Sequence, residues 1–152
     1  MGFDVHGRKP SHTDGEYFRA SIWTWRPIHY LLCSRCQFLG DTMLTRLGAN
    51  DGAGPNNQAM CNRIAEQFQD FLDNEFEATH YDATGNDHWT PPLPEESEEM
   101  LVDKNTGQFI TRQQQQSVAT RDPNWVPVYS ITRSKLEEWI NFLRACGGFS
   151  AC

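Results

Sequence analysis

Apolar residues recur most regularly between Asn57 and Glu77. Met60, Cys61, Ile64, Ala65, Phe68, Phe71, Leu72 and Phe76 form one stripe at helical spacing, with Glu66, Gln69, Asp70 and Asp73 toward the other side. This predicts an amphipathic helix capped by Asn56 or Asn57. A second stripe of Leu136, Trp139, Ile140, Leu143 and Cys146 predicts a helix near the C-terminus. Ser134 with Glu137 three residues later has the form of a capping box, and Gly147 suits a left-handed stop. A third stripe, Ile28, Leu31, Leu32, Cys36 and Leu39, predicts a helix with Pro27 in its first turn and Gly40 at its end. Asp41 to Leu47 reads as a short helix capped by Asp41, and Gly48 to Pro55 as a loop.

Period-two alternation marks Gly2 to Gly7 as a strand, with Phe3 and Val5 on one face. Tyr17 to Trp25 is rich in aromatic and branched residues and fits either a strand or an irregular segment. Met100 to Thr111 reads as a hairpin around Asn105-Thr106-Gly107. Phe149 to Cys152 is short and extended and is expected to pair with the first strand. The fold class is therefore α+β: three main helices around a small sheet formed by the termini, which the middle hairpin could join. One domain spans 1–152, with a loop-rich acidic insertion at about 80–127.

Charge sharpens this division. The net charge is −7, yet residues 51–100 hold one Arg and twelve acids, while both flanking thirds are slightly positive. Such a centre disfavours direct nucleic-acid binding. It suits a protein partner with a basic surface, or simply a solvated face. No apolar run approaches the ~20 residues that span a bilayer. His6, Arg8, Lys9 and Pro10 interrupt any leader-like run, so a cytoplasmic protein is expected. Five Cys without an export signal argue for buried free thiols rather than a disulfide framework.

Candidate chemistry is sparse. His29, Cys33 and Cys36 at i, i+4 and i+7 could share one helix face and bind a soft divalent metal, with Cys61, Cys146 or Cys152 as a fourth ligand. The competing reading is that these Cys are small apolar packing residues. A Cys/His catalytic pair is formally available, but no motif surrounds any Cys. No nucleophile elbow, phosphate-binding loop, dinucleotide fingerprint or metalloprotease helix occurs. His80-Tyr81-Asp82 with Asp87-His88 could form an acid/base or metal pocket, or exposed solvated groups. No cofactor is expected.

Two terminal blocks carry a resemblance. The first is Met1-Gly2-Phe3-Asp4-Val5-His6-Gly7, with Gly15-Glu16-Tyr17-Phe18-Arg19 and Ile22-Trp23-Thr24-Trp25-Arg26-Pro27; the last is Cys146-Gly147-Gly148-Phe149-Ser150-Ala151-Cys152. Together they resemble a family of small proteins frequent in phages and phage-like bacterial loci, a family without an assigned chemistry. Asn50-Asp51-Gly52 is a further family-like element. The resemblance covers the first third and the last fifteen or so residues, and is absent from about 80 to 127. It implies a non-enzymatic phage or mobile-element accessory protein that acts by binding in the host cytoplasm. The acidic centre, with Glu95, Glu96, Glu98 and Glu99, would then engage a host defence component. A second reading gives Glu16, Arg19, Trp23, Trp25, Arg26, Asn50 and Asp51 to a nucleotide-like small ligand, held by bidentate bonds and stacking. In the bland alternative these residues serve the fold. A third reading is a metal-dependent hydrolase.

Overall fold

The chain's two ends build one sheet because their apolar residues alternate in matching register. The computed structural model describes residues 2–81, 84–91, 101–103, 109–110, 125–127 and 129–152. Strand β1 (Gly2–Gly7) lies between β2 (Tyr17–Ser21) and the C-terminal β9 (Phe149–Ala151), all antiparallel. Val5 faces Phe18 on one side and Ala151 on the other. Phe3, Val5, Phe18, Ala20, Phe149 and Ala151 are all buried, so one face of this sheet closes the core.

Helices cover that face. Helix α1 (Ile22–Arg35) follows β2 without a loop, and the Ser21 hydroxyl caps it by accepting from the Thr24 N–H. The segment from Tyr17 to Trp25 is thus strand and helix in turn. Pro27 sits inside α1 rather than in its first turn. The hydrogen bond this removes is offset by burial of Trp25, Ile28, Leu31 and Leu32. After a 3₁₀ turn at Gln37–Leu39 comes α2 (Asp41–Leu47). Gly40 takes its N-cap position with no side-chain cap, so Asp41 is the first helical residue and not the cap.

Helix α3 (Gln58–Asn74) matches its stripe: Cys61, Ile64, Ala65, Phe68, Phe71 and Leu72 are buried, and Asn57 caps it through Met60 N–H at 2.8 Å. It ends before Phe76, which packs against the core from the following turn. Helix α4 (Arg133–Ala145) buries Leu136, Trp139, Ile140, Phe142 and Leu143 against it. The cap of α4 is Thr132, whose hydroxyl accepts from Lys135 N–H at 3.1 Å; Ser134 is the second residue of the helix. Strand pairing decides this. β8 (Ile131–Thr132) is tied to β4 (Asp87–Trp89), which pairs in turn with β3 (His80–Tyr81), so Thr132 is the last extended residue.

The middle hairpin forms: β5 (Leu101–Asp103) pairs with β6 (Phe109–Ile110), and β5 also with β7 (Trp125–Pro127), as a sheet separate from the terminal one. Its Asn105-Thr106-Gly107 turn lies outside the described residues. Trp89 is buried against Phe71, with ring centroids 4.8 Å apart. The chain beyond His80 therefore begins by packing into the core. The fold is α+β. Among the described residues, no helix is long and apolar enough to cross a membrane.

Candidate functional site

Two hydrogen bonds fold α2 back along α1 and open a groove between them. The buried Trp25 indole donates Nε1–H to the Leu47 carbonyl at 2.9 Å. One turn along, His29 Nε2 lies 2.7 Å from the Leu44 carbonyl. A carbonyl can only accept, so Nε2 carries the proton there. The resulting groove has a volume of about 1070 Å³. Phe3, Trp25 and Leu44 give it an apolar floor, and Phe3 stacks on Trp25 at 4.8 Å. Arg26, His29 and Tyr30 line it from α1, and Asp41 and Thr45 from α2. Gly48 closes one end; a Cβ there would stand 2.9 Å from the His29 ring.

The groove's charges are uncommitted. The Arg26 guanidinium lies over the Tyr129 ring, 4.9 Å from its centroid, and has no carboxylate partner among the described residues. Asp41 likewise has no ion-pair partner among them. A guanidinium stacked by its face keeps its N–H edge free to bind an anion. The other concavities differ. One of about 360 Å³ gathers Asp14, Glu137 and Glu138. Another of about 430 Å³ holds Arg35, which is already paired with Asp70 at 3.1 Å and with Glu75.

The sequence candidates divide three ways. Trp25 and Arg26 line the groove, as do His29 and Cys33. Glu16 and Arg19 do not: both are exposed, Glu16 at the turn into β2 and Arg19 on that strand, 3.8 Å from Asp4. The Asp4 carboxylate also accepts a hydrogen bond from Tyr17, which raises that phenol above its usual range. Trp23 is partly exposed on α1, 5.4 Å from the Tyr129 ring. Asp51 pairs with Arg46 at 3.2 Å. Asn50 holds a left-handed conformation at φ 56°, and its buried Oδ1 has no hydrogen-bond partner among the described residues. Asp82 and Glu95, Glu96, Glu98 and Glu99 lie outside the described residues.

The metal trio does not assemble. Cys36 ends α1 with φ −116° and ψ 42°, so helical spacing fails at its position, and its thiol is fully buried in the core. Burial pushes that thiol up to about 12. Among the described residues no three His, Cys, Asp or Glu side chains are placed to hold a metal ion. His29 and Cys33 do not make a nucleophile–base pair either. Sγ lies 3.6 Å from Nε2, but the proton on that nitrogen belongs to the Leu44 bond, and burial raises the Cys33 thiol.

Sequence reasoning missed Tyr30, Asp41, Thr45 and Tyr129. Arg26 and Tyr30 are an i, i+4 pair, as are Asp41 and Thr45, so each helix carried a signal of a shared polar face. Their meeting depends on how α2 docks. Comparison with protein-family models, curated proteins and solved structures returns no match.

Proposed function

We infer that this protein is a non-enzymatic binding protein whose groove between α1 and α2 takes a small polar ligand. The observation that carries this is Arg26: a cation at the rim of a large concavity, stacked on Tyr129 and without a carboxylate partner among the described residues. The apolar floor supplies area for a ring, and the polar rim supplies orientation, which is the usual division of labour in ligand sites. The terminal blocks' resemblance to small phage and phage-like proteins supports an accessory role in the host cytoplasm.

The experiment is a thermal-shift survey with a panel of nucleotides, nucleosides and small organic anions. A true ligand raises the melting temperature with the logarithm of its concentration over Kd. Thr45→Trp, which fills the groove, abolishes the shift. Ligands that stabilise both proteins equally bind elsewhere and overturn the reading.

Charge favours a second reading, in which the acidic centre engages a basic protein surface such as a host defence component. Glu66 and Glu77 are exposed and have no ion-pair partner among the described residues, whereas Asp70, Glu75 and Asp87 are taken up by Arg35 and Arg133. Replacing Glu95, Glu96, Glu98 and Glu99 with Gln then slows association with a captured host protein and flattens its salt dependence. Unchanged salt dependence would remove this reading.

A further inference from the structure

The groove carries opposite charges at its two ends. Leu47 sits opposite Trp25 and Leu44 opposite His29, so α2 runs antiparallel to α1. One further turn brings Asp41 level with Cys33, another residue of the same wall. Arg26 is two turns back along α1, which is about 10 Å at the helical rise. Between them lies the floor of Phe3, Trp25 and Leu44. The Tyr30 hydroxyl, one turn on from Arg26, has no hydrogen-bond partner among the described residues.

We propose that the ligand is bipolar: a planar ring joined through a hydroxyl-bearing spacer to a single anionic group, the chemistry of a nucleoside monophosphate. This rests on the groove being the binding site. Arg26 binds the anion through its free N–H edge, with Tyr30 donating beside it. The ring lies on the apolar floor. Asp41 accepts from hydroxyl or amino donors at the far end. One cation and one carboxylate leave the groove near neutrality on a chain of net charge −7. Polyanions such as nucleoside triphosphates are therefore disfavoured. A plain hydrophobic acid is disfavoured too, because it would leave Asp41 desolvated without a donor.

Isothermal titration tests this with adenosine 5′-monophosphate, adenosine, its 2′,3′-dideoxy monophosphate and adenosine triphosphate, and with benzoate and inorganic phosphate as one-ended probes. The monophosphate binds at least about tenfold tighter than adenosine, as one charge-assisted bidentate contact provides. It also outbinds the dideoxy compound and the triphosphate. Arg26→Gln brings the monophosphate down to the adenosine level measured with the same variant. Asp41→Ala erases the preference over the dideoxy compound, with the melting temperature of the free protein as the folding control. Benzoate or inorganic phosphate binding as tightly as the monophosphate would show a one-ended site. That outcome overturns the bipolar ligand while leaving the groove reading in place. If none of the probes binds, yet other small anions bind and Thr45→Trp abolishes their binding, the inference falls alone. If Thr45→Trp behaves as the native protein toward every compound, both fall.

Discussion

His29 and Cys36 show how a single neighbour sets what a side chain can do. The Leu44 carbonyl takes the His29 Nε2 proton and so removes the base that Cys33 would need. Cys36 loses access to solvent instead. Its thiol is held near 12 rather than the usual 9, mainly by burial, with Arg35 and Arg63 pulling the other way. The sign of the consequence follows from linkage. The folded state keeps the proton where the unfolded chain has released it. This stability is fully present below about pH 9 and is lost as pH rises toward 12. Denaturant melts between pH 8 and 12 should therefore show a falling midpoint. Cys36→Ala should flatten that fall by up to about 1.4 kcal/mol per pH unit, although its stability at neutral pH is lower. An identical slope in both proteins would mean that Cys36 ionises as freely folded as unfolded.

At the scale of elements, the sequence was most legible where one face is buried continuously. The stripe of α3 and its Asn57 cap are local facts, and the structure reproduces them. The pairing of the C-terminal strand with β1 was legible because both alternate apolar residues. Element starts were harder. Pro27 suggested the beginning of α1, but Ser21, at the end of a strand already paired to Gly2, begins it. The groove was half legible: Trp25, Arg26, His29 and Cys33 were singled out from α1, whereas Asp41 and Thr45 enter only once α2 docks. The cap of α4 gives the sharpest test of such a difference. Thr132→Ala should cost about 1 kcal/mol, the usual worth of an N-cap hydroxyl. Ser134→Ala, at an exposed position inside the helix, should stay within about 0.5 kcal/mol. Denaturant unfolding measures both, and the reverse ranking would restore the Ser134 box.

At the scale of the whole molecule, the two terminal blocks interlock through their backbones. Asp4 and Cys152 exchange N–H···O=C bonds, both 2.8 Å. Lys9 N–H reaches the Cys146 carbonyl, and Ser11 N–H the Ala145 carbonyl. Gly147 and Gly148 turn the chain from α4 into β9 at φ 66° and 93°. Phe18, Trp25 and Phe149 gather around Trp139 in one aromatic core. The residues of the two terminal blocks thus divide by depth: the glycines, Phe18, Trp25 and Phe149 hold the fold, and Arg26 lines the groove. Gly15 is where this interlock is tightest. A Cβ there would stand 2.1 Å from the Ala145 carbonyl oxygen, a backbone atom at the end of α4 that no rotamer change can move. Gly15→Ala must therefore push α4 away from the turn before β2 and loosen the contacts behind it. The expected loss is about 1–3 kcal/mol, the range for overpacking a closed interior. Gly15 has no positive φ, so left-handed backbone strain plays no part in that loss. If thermal unfolding of Gly15→Ala matches that of the native protein, the close approach of the chain ends contributes nothing to stability.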